Sequence, residues 1–440
     1  MTEEVDILIK NTSTLNMTKE RTEMRHVDIA ITNGKILEIA PNLRYDAKEE
    51  IDGSYKMFMP GLVDTHTHAF QIFLRGALSS KELNVHPFWL KILIPFEADM
   101  QKEEGEISAK LACLNMIKKG ITAFADAGGP YPDQLAKVAD KAGLRARITS
   151  STFDSGPESY NRDIKTNLQL AKKWKKGRVV GWFSIRQIMI SSDQLIFESF
   201  EQARKEDTGL HIHLNEEVAE VDHALTRWGR RPFEYLHEKG LLSHRVIAAH
   251  CAFLSDYETQ IIVQDSVSIA HCPMAAMTYM TFPKVPRLLR MGANVALGTD
   301  GGSYRGLDMF VDMNVALASH IGYFGTPYFD FNVISTLDLL RMACINGYRA
   351  IMQKDGGVLE SGRLADIISV DLRAPHLRPM KELDAIPLFA TGNDVSDMIV
   401  DGKIVMRERA VLTMDEDEIL NESFDFEPNV YERIKKIVKR

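Results

Sequence analysis

The sequence MPGLVDTHTH, at residues 59–68, carries the first signal for the fold. It is an apolar run, typical of a buried strand, that ends in the two histidines His66 and His68. Side chains two positions apart on an extended strand point to the same face, so both imidazoles can reach one metal ion. An isolated pair of this kind fits two surface histidines equally well. The sequence around the pair therefore has to decide between these interpretations.

Similar apolar runs recur through the middle of the chain, separated by intervals long enough for one helix each. A regular alternation of strands and helices predicts a parallel sheet, and eight such units predict an α/β protein with a (β/α)₈ TIM barrel. The chemistry of such a barrel lies at the carboxyl ends of its strands. The predicted strands are 61–64, 120–126, 146–150, 179–184, 210–214, 245–249, 268–271 and 294–298.

The two ends of the chain differ from its middle. Both contain short alternating strands joined by two-residue hairpin turns, Asn33-Gly34 near the start and Asp401-Gly402 near the end. We therefore predict a small β-sandwich domain built from both chain termini. The predicted bounds are 1–58 and 363–412 for the sandwich, 59–362 for the barrel and 413–440 for a charged, partly helical and solvated tail.

Side chains that can bind metals follow several of the predicted barrel strands. His213 and His250 end strands, and Asp300 lies in a glycine-rich turn directly after the last one. Because strand ends meet around one axis, His213 and Asp300 can complete the site begun by His66 and His68. Three imidazoles and one carboxylate predict one divalent ion, with zinc as the first choice and iron or manganese as alternatives.

Further polar residues near these strand ends predict acid–base chemistry. Glu216 follows a predicted ligand closely, where it can exchange protons with an activated water. Its alternative role is that of an acid at a helix start, which Glu217 could fill as well. His250 can hydrogen-bond the attacking oxygen, or it is a buried structural histidine. We expect His211, one step deeper on its strand, and His271 to be structural.

In chain order, these segments resemble the amidohydrolase superfamily, specifically its branch of aromatic-heterocycle deaminases and triazine hydrolases. The resemblance covers nearly the whole chain and rests on residues 59–68, 213–216, 249–251 and 297–301. It implies a (β/α)₈ barrel with a terminal β-sandwich. The residues that match the family's ligands and catalytic groups are His66, His68, His213 and Asp300 for one divalent ion, with Glu216 and His250 beside them. Some relatives hold two ions with a carboxylated lysine after the fourth strand, but residues 181–186 contain no lysine.

Candidate substrate contacts lie in three loops. Gln71 and Trp89 belong to the segment that resembles the first substrate loop of this branch, and Ser303 lies in the turn after the last strand. Arg186 and Gln187 stand where nucleoside deaminases of this branch usually carry a histidine. These two side chains can donate hydrogen bonds to a keto group or an anion. This departure leaves the substrate open among purines, pterins, pyrimidines and triazines.

The predicted reaction is hydrolytic deamination of an amino-substituted N-heterocycle, so the protein is expected to be an aminohydrolase of cyclic amidines. A metal-activated water adds to the ring carbon and Glu216 protonates a ring nitrogen. Asp300 then passes a proton to the leaving ammonia, while His250 steadies the attacking oxygen. The alternatives are removal of a halide or alkylamine from a triazine-like ring, hydrolysis of a cyclic amide, or a non-catalytic metal-binding scaffold.

Composition narrows the possible partners. The net charge of −8 does not favour binding to a nucleic-acid backbone, and no apolar run is long enough for a membrane span. Four scattered cysteines and an acidic start without a signal-peptide pattern predict a cytoplasmic protein. We expect a small heterocyclic substrate as the partner. A homodimer or higher homo-oligomer is compatible with the Met- and aromatic-rich residues 274–282, although packing explains them equally well.

Overall fold

The computed structural model describes residues 4–18, 22–78, 87–156, 160–302 and 306–439. Its strands are β1 (Glu4–Asn16), β2 (Thr22–Thr32), β3 (Lys35–Ala40), β4 (Asp46–Asp52), β5 (Lys56–Pro60), β6 (Leu62–His68), β7 (Ile121–Asp126), β8 (Arg145–Ile148), β9 (Val179–Gly181), β10 (Phe183–Ile185), β11 (Leu210–Leu214), β12 (Val246–His250), β13 (Ser268–His271), β14 (Asn294–Leu297), β15 (Asp300–Gly301), β16 (Ile367–Asp371), β17 (Val395–Val400), β18 (Lys403–Arg407) and β19 (Ala410–Val411). Its α-helices are α1 (Ile94–Ala98), α2 (Lys102–Lys118), α3 (Pro132–Ala142), α4 (Lys165–Lys173), α5 (Asp193–Lys205), α6 (Val218–Trp228), α7 (Pro232–Glu238), α8 (Asp256–Gln264), α9 (Pro273–Tyr279), α10 (Val285–Arg290), α11 (Met309–His320), α12 (Thr336–Ala343), α13 (Ile345–Ala350), α14 (Ile386–Phe389) and α15 (Glu416–Val438).

The barrel wall consists of two parallel five-stranded sheets, ordered β15-β6-β7-β8-β9 and β10-β11-β12-β13-β14. One residue separates β9 from β10 and two separate β14 from β15, so each of these pairs is one interrupted strand. The ten segments thus form the eight strands of a (β/α)₈ barrel, and each lies within a few residues of its predicted position. Helices cover the outside, so strands such as β7 and β11 are buried along their whole length, which explains their apolar sequences.

A second sheet of nine strands joins the two ends of the chain. Its order is β19-β18-β17-β16-β5-β1-β2-β3, and β4 also pairs with β1. Ile7, Ile29 and Ile399 share one apolar core in this sheet, so the two termini are packed together. Both predicted hairpin turns are present and touch each other, because a Cβ atom on Gly402 would lie 2.7 Å from the Cα of Gly34.

The chain ends in α15, a helix of 23 residues that lies against the barrel helix α2. Its apolar residues Ile419, Val430, Ile434 and Ile437 are buried at helical spacing. Arg433 donates to Glu104 of α2 at 2.7 Å. The expectation of a solvated tail is therefore wrong for one face of this helix. Among the described residues, no helix is long and apolar enough to cross a membrane.

Candidate metal centre and active site

The carboxyl ends of the barrel strands bring together the residues that the sequence predicts as metal ligands. Strand β6 contributes His66 and His68, β11 contributes His213, and β15 contributes Asp300. All four residues are less than 10% exposed. Ligand atoms of His66, His68 and Asp300 lie within 4.8 Å of one another, and so do those of His66, His213 and His250. The barrel therefore assembles one histidine-rich cluster from segments more than 200 residues apart.

The ligand atoms in this cluster face one another, and one of them has no hydrogen-bond partner among the described residues. Asp300 Oδ1 lies 3.5 Å from His66 Nε2 and 3.5 Å from His68 Nε2. His213 Nε2 lies 3.3 Å from His68 Nε2. His66 Nε2 is buried and has no hydrogen-bond partner among the described residues. A buried nitrogen without a partner, surrounded by imidazoles and a carboxylate, fits a zinc-like divalent ion.

Burial also gives these groups the charge states that metal binding needs. It lowers the pKa of His66 to about 4 and the pKa values of His68 and His213 well below the ordinary value. The imidazoles are therefore neutral at pH 7 and keep a lone pair for an ion. Burial acts in the opposite direction on Asp300, but the neighbouring histidines outweigh it and hold the pKa of this carboxyl below its ordinary value. Asp300 is thus an anion.

His211 orients one of these ligands from below. Its Nε2 lies 2.9 Å from Nδ1 of His66, and its side chain is 1% exposed. When Nδ1 of His66 carries the proton and donates to His211, Nε2 of His66 is left free to bind an ion. The structure thus places His211 as a buried, hydrogen-bonded residue under the site.

Sequence reasoning missed Asp64, which joins the first and last barrel strands behind the ligands. Its Oδ1 accepts from the backbone N–H groups of His66 at 3.2 Å and Thr299 at 3.0 Å. Its Oδ2 accepts from the Thr299 hydroxyl at 2.5 Å. Burial raises the pKa of Asp64 to about 7. The available signal was an acid inside an otherwise apolar strand, which is costly without partners.

The ends of the strands carry backbone conformations that non-glycine residues rarely adopt. His250 has a φ of 68° and Asp300 a φ of 63°, both in the left-handed region. Such conformations cluster at functional sites, where the surrounding structure enforces them. Gly298 is required nearby, because a Cβ atom there would lie 2.9 Å from Cβ of His66. These turns direct His250 and Asp300 into the cavity.

Glu216 and His250 lie side by side on the cavity wall. His250 Nε2 is 3.5 Å from Glu216 Oε1. The Glu216 side chain is 13% exposed, and burial raises the pKa of its carboxyl above the ordinary value. A carboxyl that keeps its proton closer to neutral pH is better suited to act as a general acid. Both predicted acid–base residues therefore lie beside the ligand cluster.

The cavity above the cluster has a volume of about 220 Å³. The candidate substrate contacts differ in whether they line it. Trp89, Arg186 and Gln187 line it. Gln71 does not: its side chain is fully buried behind the wall and donates to Glu97 at 2.9 Å. The predicted contact between Gln71 and substrate therefore finds no support in this geometry. Ser303 lies outside the described residues.

Arg186 belongs to a buried charged cluster that sequence reasoning did not predict. Its Nη1 lies 3.3 Å from Nδ1 of His68 and 3.7 Å from Oε1 of Glu97. Arg162 donates to the other oxygen of Glu97 at 3.2 Å. One carboxylate thus serves two guanidinium groups and holds Arg186 at the wall beside a ligand. The only hint of this role in the sequence was that an acid, Glu97, directly follows the apolar segment 92–96.

His271 is not part of the cavity wall. Its Nε2 lies 3.1 Å from Nε2 of His320, and both residues are fully buried. Phe282 packs against the two rings. This geometry supports the structural role expected for His271.

Comparisons with known proteins agree with this geometry. The amidohydrolase family model matches residues 57–405. A 5'-deoxyadenosine deaminase of Methanosarcina acetivorans is 34% identical over 426 residues, which cover 95% of this chain and 96% of that protein. A 5-methylthioadenosine/S-adenosylhomocysteine deaminase of Pelotomaculum thermopropionicum is 33% identical over 429 residues, covering 95% and 97%. The crystal structure of an adenosine deaminase from Xanthomonas campestris with bound zinc matches with a TM-score of 0.89 at 25% identity, covering 99% of this chain and 100% of that one.

The chain therefore belongs to the amidohydrolase family. The predicted fold class and the predicted chemistry, metal-dependent hydrolytic deamination of an amino-substituted N-heterocycle, are confirmed. So is the reaction class, which is hydrolysis of a C–N bond in a cyclic amidine. The zinc-bound neighbour and the histidine cluster confirm the predicted divalent ion.

Proposed function

We propose that this protein removes the amino group from the purine ring of an adenine nucleoside of the 5'-deoxyadenosine type. The observation that carries the proposal is the convergence of Glu216, His250 and Asp300 on one cavity beside the ligand cluster. The names of the relatives support the choice of an adenine nucleoside over a pterin, pyrimidine or triazine. Aromatic side chains of Phe88 and Trp89 on the cavity wall suit a planar ring.

In this proposal, His66, His68, His213 and Asp300 hold the ion, which supplies Lewis-acid activation of water when bound. Asp300 Oδ takes the proton of the attacking water and passes it to the leaving amine. Glu216 donates its proton to the ring nitrogen next to the reacting carbon, a role that its raised pKa favours. It regains a proton from the added hydroxyl as the C–N bond breaks and the carbonyl forms. His250, which lines the cavity beside Glu216, would steady the charge that develops on the attacking oxygen.

Arg186 and Gln187 are proposed to contact the substrate in place of the histidine found in related deaminases. Both residues line the cavity and are almost fully buried. Contacts with other buried side chains fix the positions of their hydrogen-bond donors. Glu97 holds the Arg186 guanidinium, which can then donate to an acceptor atom of the ring. Trp89 donates from Nε1 to Glu217 at 3.1 Å, and this bond orients its ring at the cavity. The predicted contact of Ser303 stays a prediction.

The test is a substrate panel with zinc-loaded protein. We expect ammonia release from adenosine, 5'-deoxyadenosine, 5'-methylthioadenosine or S-adenosylhomocysteine, and none from guanine or a pterin. Atrazine, which has no free amino group, should release neither chloride nor alkylamine. A Glu216→Gln variant with a full complement of metal serves as the control for contaminating deaminases. Turnover of a pterin or triazine without turnover of any adenine nucleoside would show that the proposed substrate is wrong.

Location and assembly follow from other features. We propose a cytoplasmic location, which is supported by four free, buried cysteines.

We also propose a homo-oligomer, because Tyr328, Phe329 and Phe331 are each more than 70% exposed on one short segment. Light scattering of the purified protein measures the assembly directly, and a monomer at micromolar concentration would contradict it.

A further inference from the structure

Glu220 is a buried acid for which the proposed mechanism has no direct use. It lies in the first turn of α6, and its side chain is fully inaccessible to solvent. Its Oε2 accepts from the backbone N–H of Glu216 at 2.8 Å and from Nε2 of Gln187 at 3.4 Å. Its Oε1 is buried and has no hydrogen-bond partner among the described residues. An unpaired buried oxygen is costly, so its retention needs an explanation.

A glutamate that reaches back over the start of its own helix is a common helix cap. The same chain contains two ordinary examples, Glu104 in α2 and Glu258 in α8, whose carboxyls bond the backbone of the preceding cap residue. Glu220 differs because it bonds the residue before the cap, which is Glu216. Like Glu104 and Glu258, it also bonds a side chain from another segment, which in its case is Gln187 of the cavity wall. Capping alone therefore does not explain its partners.

The two partners of Glu220 come from neighbouring barrel strands and both line the cavity. Glu216 follows β11, and Gln187 follows β10. Gln187 is itself fixed at its other end, because its Oε1 accepts from the backbone N–H of Ile188 at 2.8 Å. One carboxyl oxygen thus connects the loop that carries the proposed proton donor with the loop that carries a proposed substrate contact.

We propose that Glu220 is a positioning residue that holds Glu216 and Gln187 in one fixed arrangement on the cavity wall. This inference rests on the role proposed above for Glu216. Glu220 acts as a hydrogen-bond acceptor in its neutral form. Burial raises the pKa of its carboxyl to about 8, and the adjacent Glu216 adds to this effect. A neutral Glu220 accepts both hydrogen bonds without placing a negative charge beside the protonated Glu216.

The test compares Glu220→Gln and Glu220→Leu with wild type in the zinc-loaded protein. Glutamine keeps the accepting oxygen, and we expect kcat to stay within about threefold of wild type. Leucine removes the acceptor at similar volume, and we expect kcat to fall about 10- to 100-fold, because small misplacements of reacting groups cost rates of this size. KM should stay within about threefold and the metal content at one ion per chain. Glu104→Leu is the control: it removes another buried acid in the first turn of a helix, one that does not line the cavity, and should leave kcat unchanged.

Hydrogen exchange gives a second measurement that does not depend on turnover. The amide of Glu216 should exchange slowly in wild type and in Glu220→Gln, and at least about tenfold faster in Glu220→Leu, since its acceptor is lost. If wild type deaminates no adenine nucleoside, the proposed substrate fails while this measurement still decides the role of Glu220. Wild-type kcat and slow exchange in Glu220→Leu would overturn the inference. So would a Glu220→Gln variant whose kcat is about tenfold or more below wild type, and this arm applies even if Glu220→Leu does not fold.

Discussion

Replacing Glu220 by glutamine should make the protein more stable at alkaline pH, which is unusual for the removal of a buried acid. An ordinary surface glutamate ionises without penalty, whereas burial raises the pKa of Glu220 from 4.5 to about 8. The folded protein therefore binds this proton more tightly than the unfolded chain does. Between these two pH values the unfolded state gains stability as it releases the proton, so folding stability falls as pH rises. Glutamine carries no such proton and escapes this loss.

The expected size follows from the same two pKa values. This rise in pKa lowers the free energy of unfolding of wild type by roughly 4 to 5 kcal/mol once the pH exceeds both pKa values, since each pH unit between them contributes about 1.4 kcal/mol. Below pH 4.5 the glutamine variant and wild type should be similarly stable. Between pH 4.5 and about pH 8 the stability of the variant relative to wild type should rise steadily. Urea unfolding of both zinc-saturated proteins at several pH values measures the difference, in which titrating groups that do not interact with Glu220 cancel. A difference that is constant with pH, or one that favours wild type as pH rises, would refute the reasoning.

Three further predictions concern the metal centre, the proton donor and the terminal helix. His66→Asn should lower the bound zinc well below one ion per chain by elemental analysis, because it removes a ligand whose Nε2 has no other partner; full retention would refute the ligand set. Glu216→Gln should retain zinc but lose on the order of 10²–10⁴-fold in kcat, and near-normal turnover of the zinc-loaded variant would count against Glu216 as proton donor. Ile434→Ala, in the buried face of α15, should cost about 2–4 kcal/mol in urea unfolding with kcat unchanged, whereas the exposed Leu420→Ala in the same helix should cost far less.

The strands and the gathering of the candidate ligands could be predicted because their signals are local. Each barrel strand is a short apolar run, and its burial on both faces makes the run continuous. His66 and His68 share one strand face by the two-residue period, and His213 and Asp300 end strands of the same barrel. The burial of one face of α15 was missed, although its apolar residues recur at helical spacing. The charges at its end suggested a solvated tail instead.

The prediction for Gln71, which finds no support in the structure, has a different origin. Its position in the chain, just after a metal-binding strand, suggested a substrate contact. In the folded protein a short 3₁₀ helix, Ala69–Leu74, turns this residue behind the wall, where Glu97 takes its amide. Whether a loop residue faces the cavity or the core depends on which residue from another segment offers it a partner. The sequence around Gln71 does not indicate that Glu97, 26 residues further along the chain, becomes its hydrogen-bond partner.

The sequence by itself therefore predicted the barrel and a histidine-rich site for a divalent ion, because these depend on periodicity and on residue types at strand ends. The class of reaction followed from the resemblance of the strand-end motifs to the amidohydrolase family. Only the tertiary structure showed that Asp64 joins the first and last strands, that Glu97 holds Arg186, and that Glu220 connects Glu216 with Gln187. Each of these contacts joins a buried polar group to a partner on a different element. Burial makes such a partner necessary, but only the packing of the whole chain decides which residue it is.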